Sequence, residues 1–139
     1  MADTFQLQVA TPEHLFVDEQ VTTAQLPGKA GYMGILPGHA PLLSALAAGV
    51  LTYDSGGGEQ VLAIDGGFVE VFEDQVRVLA DHAERASDIQ VEEARRQLAE
   101  ASEKLKQVHD EADSKAALRE MQRAQARIDA AEHVGGRPH

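Results

Sequence analysis

From Ser87 to Val134 the chain has no Gly, no Pro and no Phe, Tyr or Trp. Every Phe and Tyr lies before Ala86, as does every Gly except Gly135 and Gly136 and every Pro except Pro138. A run free of breakers can carry an unbroken helical ladder, whereas a segment punctuated by Gly and Pro every few residues cannot. Two structural regimes therefore meet near Ala86. The predicted class is α+β, with an N-terminal antiparallel β-sandwich over residues 1–86 and a C-terminal two-helix antiparallel hairpin over residues 87–139.

The strand assignments follow from periodicity. Phe5, Leu7 and Val9 alternate with Gln6 and Gln8, the period of two expected of a strand with one wet face. Further strands are predicted at Leu15–Val17, Val21–Leu26, Leu42–Leu46, Val50–Tyr53, Gln60–Ile64, Phe68–Phe72 and Val76–Ala80. Their starts recur roughly every 8–12 residues with Pro, Gly or Asp between, which favours a sandwich or barrel over a βαβ sheet. Gly56-Gly57-Gly58 and Glu73-Asp74 read as hairpin turns.

Beyond Ala86, Val91, Ala94, Leu98, Ala101, Leu105, Val108 and Ala112 step alternately by three and four, the spacing of one helix face. Ser87 with Gln90 offers a capping box, and Glu92, Arg96, Glu100 and Lys104 offer an i,i+4 charge ladder. Continuing that register lands on the polar Lys115, Arg119, Gln122 and Asp129. A new apolar register appears instead at Ala117, Met121, Ala124, Ile128 and Ala131. The slip, beside Asp113 and Ser114, predicts two helices over about 88–109 and 114–133, with Gly135-Gly136 ending the second and a disordered tail. No Gly or Pro enforces the break, so one long helix is the structural alternative.

Composition narrows the function. The chain carries 23 acidic and 12 basic residues for a net charge of −11, and residues 1–86 alone contribute −9. Such a surface repels phosphate backbones and anionic headgroups, which disfavours nucleic-acid binding and charge-driven membrane binding. With no Cys there is no thiol chemistry, disulfide or Cys-ligated zinc. No apolar run reaches a bilayer-spanning length, and the start shows no secretory pattern, so a cytosolic chain is expected. Gly28-Lys29 is followed by Ala30, so the phosphate-cradling loop pattern is absent. The six His are scattered without metal-ligand spacing, and His39 reads as a loop-packing residue. No catalytic residue, metal or cofactor is predicted.

One feature resists the bland reading. Lys115, Arg119, Arg123 and Arg127 recur strictly at i+4. Each step turns about 40° around a helix, so the four cations form one slowly winding stripe. The three like-charged i,i+4 pairs cost an isolated helix on the order of 1 kcal/mol, relieved in part if Glu120 meets Arg123. The stripe is a solvated face or a docking surface for an acidic partner. The second helix carries three Ala with Met121 and Ile128, which gives it little apolar hold and makes it a candidate for reversible movement.

The run Gly31-Tyr32-Met33-Gly34-Ile35-Leu36-Pro37-Gly38-His39-Ala40-Pro41-Leu42-Leu43 resembles the signature of the ε subunit of F-type ATP synthases. Gly49-Val50-Leu51, Gly66-Gly67-Phe68-Val69-Glu70-Val71 and Val76-Arg77-Val78-Leu79-Ala80-Asp81 follow in the matching order, and the resemblance covers about residues 3–133. It implies a non-catalytic rotor subunit that couples ring rotation to the catalytic head. The sandwich would pack against the γ subunit and the polar loops of the c-ring, with Gly31, Tyr32, Met33, Gly38 and His39 in that contact. Many relatives have an acid where Tyr32 stands. The helices would extend toward a β subunit and inhibit ATP hydrolysis through Lys115, Arg119, Arg123 and Arg127. The implied location is the cytoplasmic face of the bacterial plasma membrane, held there only through the complex. Some relatives bind ATP with an I/L-D-x-x-R-A pattern. Ile89 and Ala94 keep its ends here, but Gln90 and Glu93 replace the acid and the Arg, so weak or absent ATP binding is expected. A free-standing adaptor binding another acidic protein is the rival reading.

Overall fold

A computed structural model of the chain describes residues 3–134. The expected stop at Gly135-Gly136 and the tail lie outside the described residues. Ten strands run in chain order: β1 Phe5–Ala10, β2 Leu15–Val21, β3 Thr23–Gly28, β4 Gly31–Ile35, β5 Leu42–Ala45, β6 Gly49–Asp54, β7 Glu59–Asp65, β8 Phe68–Phe72, β9 Gln75–Leu79 and β10 His82–Arg85. They form two five-stranded sheets ordered β2-β1-β9-β8-β5 and β10-β7-β6-β3-β4. Pairing is antiparallel except between β1 and β9, which run parallel. Phe5, Leu7 and Val9 from the first sheet and Leu51, Leu62 and Ile64 from the second are buried between the layers, as alternation requires.

The stretch expected as one strand, Val21–Leu26, is split. Thr22 directs both its amide and its hydroxyl at the Asp54 carbonyl, at 2.7 and 2.9 Å. The chain leaves the first sheet there and enters the second. Strand β10 was not among the predicted strands, because it is the polar sequence His-Ala-Glu-Arg.

Helix α1 spans Val91–Gln107 and helix α2 spans Glu111–Val134, antiparallel partners joined by a three-residue turn. The capping box at Ser87 does not form. Ala86–Asp88 is a 3-10 turn, and α1 starts from Gln90 without a side-chain cap. Asp110 supplies the cap of α2 by accepting the Asp113 amide at 2.7 Å, so α2 begins three residues before the expected start. Ala94 and Ala101 are fully buried along the helix–helix seam, whereas Ala112 falls beyond the turn and is exposed.

The second helix has two buried faces, where sequence periodicity shows one. Ala117, Ala124 and Ile128 are buried, with Met121 and Ala131 half-buried, as the apolar register predicts. Ala126 and Ala130 are buried as well, because α2 lies between α1 and the outer face of β6 and β7. A second apolar cluster of Val61, Ala63, Ala86, Ile89 and Ala130 seals that joint. Small side chains let the helix approach the sheet closely.

Candidate functional site

The clasp between α2 and the sandwich is built from strand periodicity. Asp65, Ala63 and Val61 point outward from β7 because Ile64 and Leu62 point into the core. On β10, His82 pairs with Asp65 and Glu84 pairs with Ala63, so Asp65 and Glu84 are diagonal neighbours on one face. Such diagonals lie about 7–8 Å apart, close to the roughly 6 Å axial step between helix residues four apart. Arg123 and Arg127 meet this pair one to one. Arg123 Nε donates to Asp65 Oδ2 at 2.7 Å. Arg127 forks onto Glu84, Nε to Oε1 at 2.8 Å and Nη2 to Oε2 at 3.3 Å.

Helix α1 completes the cage. Arg127 also donates to Glu93 Oε1 at 3.0 Å and to Gln97 Oε1 at 2.6 Å, and its side chain is only 12% exposed. Hydrogen bonding to Glu84 lifts the guanidinium above its ordinary pKa against the opposing effect of burial, with Glu93 adding to the rise. These side chains line an open cleft of about 480 Å³ between hairpin and sheet.

The structure thus divides the cationic stripe. Arg123 and Arg127 are engaged inward by carboxylates. Lys115 pairs only with Glu111 of its own helix, at 3.7 Å, and Arg119 forms no ion pair among the described residues. Glu120 turns to Lys104 across the hairpin at 3.4 Å instead of relieving Arg123. The expected ladder on α1 is replaced in part, since Glu92 pairs with Arg95 at 2.8 Å. Ile89 and Ala94 are packing residues, the first in the apolar joint and the second fully buried in α1. Glu93, at the position where the nucleotide pattern has Arg, holds Arg127.

The residues expected to meet ring and stalk fall at opposite ends of β4. Gly31 closes the β3–β4 hairpin at φ +130°, and Tyr32 folds over β6, where its hydroxyl accepts the Val50 amide at 3.0 Å. A Cβ on Gly49 would meet that hydroxyl at 2.7 Å, so Gly49 makes room for the ring. Met33 is half-buried against the main core. Gly38 and His39 sit in the loop beyond β4. The Gly38 amide donates to Asp74 Oδ1 at 2.7 Å, and His39 Nδ1 donates to the Ala40 carbonyl at 2.7 Å. Asp74 lies in the β8–β9 turn, where it and Glu73 adopt positive φ.

A further surface escaped the sequence reading. Cross-strand pairing aligns Leu15, Ala10, Leu79, Phe68 and Ala45 in one row across all five strands of the first sheet. Leu79 is 53% and Phe68 59% exposed, and Leu43 and Phe72 of the same face are exposed as well. The row spans about 19 Å at the usual strand spacing. Its signal in sequence was an apolar residue at the outward phase of β8 and β9, readable only once their inward phase is known.

A β-sandwich with one sheet clasped by a helical hairpin and the other presenting an apolar row defines the architecture. Residues 4–86 match the ATP synthase delta/epsilon chain β-sandwich domain. The ATP synthase epsilon chain of Solibacter usitatus is 47% identical over 132 residues, 95% of this chain and 98% of that protein. That of Nitratidesulfovibrio vulgaris is 41% identical over 128 residues, 92% of this chain and 96% of that protein. Among solved structures, a chain in the Euglena gracilis mitochondrial ATP synthase (OSCP/F1/c-ring, rotational state 1) superposes with a TM-score of 0.83 at 26% identity, over 96% of this chain and 84% of that chain. The chain belongs to the ATP synthase delta/epsilon family, and it resembles the epsilon chains over nearly its whole length. No helix among the described residues is long and apolar enough to cross a membrane.

Proposed function

We propose that the chain is a non-catalytic central-stalk subunit of a proton-translocating F-type ATP synthase, which couples c-ring rotation to the catalytic head and restrains ATP hydrolysis through its helices. The family membership and the full-length likeness to epsilon chains support the placement. The observation that carries the mechanism is the asymmetry of the sandwich: one sheet face is occupied by the chain's own hairpin, and the other exposes an apolar row suited to a fixed partner. On this reading γ packs against that row, the Gly31–His39 segment reaches γ and the polar loops of the c-ring, and the complex sits at the cytoplasmic face of the bacterial plasma membrane. The cationic stripe then meets an acidic segment of a β subunit when the hairpin opens. No nucleotide is assigned to the clasp, because Glu84, Glu93 and Asp65 already engage its two arginines and line it with carboxylates. Micromolar ATP binding by calorimetry would overturn that assignment.

Arg119 gives the cleanest test, since its reversal breaks no hydrogen bond or ion pair among the described residues. In an assembled complex, Arg119→Glu is expected to raise ATP hydrolysis about 3-fold, the scale of an exposed pair turned repulsive. Unchanged hydrolysis counts against the docking role of the stripe.

A further inference from the structure

Arg127 is the point at which three parts of the molecule are tied together. From α2 it reaches Glu84 on β10, and it reaches Glu93 and Gln97 on α1. One helical turn earlier, Arg123 reaches Asp65 at the end of β7, whose side chain is 15% exposed. The apolar part of the same joint is small, with Ala63, Ala86 and Ala130 buried beside Val61 and Ile89 and with Val50 and Ala131 half-buried against them. Small side chains bury little area each, so the directional contacts weigh more in deciding whether α2 stays down. The Arg127 side chain is also shielded from solvent, whereas Lys115 is 72% exposed and open to screening by salt.

We propose that Asp65, Glu84 and Glu93 form a built-in latch that holds the hairpin closed without any ligand, by occupying the two cations that the open hairpin would present. Closure and full exposure of the stripe are then mutually exclusive. The acids of the sandwich stand in for the acids of the partner, so opening exchanges one set of carboxylates for another. Glu93 is the residue that extends the latch onto α1. With it, α2 comes free only by breaking contacts on α1 as well as on the sheet. The consequence for hydrolysis rests on the function proposed above; the latch itself does not.

The test uses the full chain alone. Because the chain has no Cys, spin labels placed through Ser55→Cys and Ala116→Cys report the distance between the β6–β7 turn and α2. Arg127→Gln is expected to raise the open fraction on the order of 30-fold, between the effects of exposed and buried pairs. Arg123→Asp and Asp65→Arg should each raise it about 3-fold, and the double exchange Arg123→Asp/Asp65→Arg should return it to the starting value. That rescue keeps the test decisive even if Arg127→Gln fails to fold. A distance distribution unchanged by the single charge variants, or a double exchange as open as either of them, would overturn the latch. In the assembled complex Glu93→Gln keeps all four cations while loosening the latch, so it should deepen inhibition, opposite to Arg119→Glu. Opening of the free chain by Glu93→Gln with no effect on hydrolysis would uphold the latch and reject the inhibitory function.

Discussion

The exposed row on the first sheet allows a quantitative prediction. Phe68 and Leu79 lie directly opposite each other on β8 and β9, and each is a little over half exposed in the free chain. Full burial of such a side chain contributes about 1.5–3 kcal/mol, so covering the half still in water contributes about 1 kcal/mol each. Replacing both with Ser is then expected to weaken docking by about 2 kcal/mol, roughly 30-fold in Kd. The folded chain loses the cross-strand pair, worth about 0.2–1 kcal/mol, and the halves already buried, worth about 1 kcal/mol each. Its urea midpoint should therefore fall, and the titration is read on a variant shown to be folded. The assay is a fluorescence titration of labelled full-length chain into an ATP synthase complex stripped of this subunit. An unchanged Kd for the folded variant would refute the assignment of this face to a fixed partner.

Two further outcomes follow from local geometry. Asp110→Ala removes the cap on the Asp113 amide and should cost about 1 kcal/mol of stability in α2, visible as faster hydrogen exchange in its first turn. At Gly67, which has φ +96°, a Cβ would overlap the Leu79 carbonyl oxygen and approach the Ala80 Cα to 2.7 Å. Gly67→Ala is accordingly expected to lower stability by about 3 kcal/mol or more in urea unfolding.

The boundary near Ala86 was legible because breakers and aromatics vanish together there, and the two hairpin turns were legible because Gly56–Gly58 and Glu73-Asp74 leave few alternatives. The parallel pairing of β1 with β9 was not, since nothing local in Gln6–Ala10 encodes its distant partner. The stripe was visible as spacing. What its charges meet was hidden, because Asp65 and Glu84 lie on strands far away in sequence and one of those strands, β10, has no apolar alternation. Ala126 and Ala130 were passed over for a related reason: a helix packed on two sides shows a wider apolar arc than a single register describes.

In the proposed mechanism the hairpin must leave the sandwich before it can restrain the motor. His133 Nε2 lies 2.7 Å from Glu59 Oε1, which places the end of α2 against the start of β7. Joining Glu59→Cys to His133→Cys with a short bismaleimide fixes that contact. ATP hydrolysis by a complex assembled with the joined chain should rise to the level seen without residues 87–139, while the unjoined double variant still inhibits. Equal inhibition by the joined and unjoined chains would contradict the account.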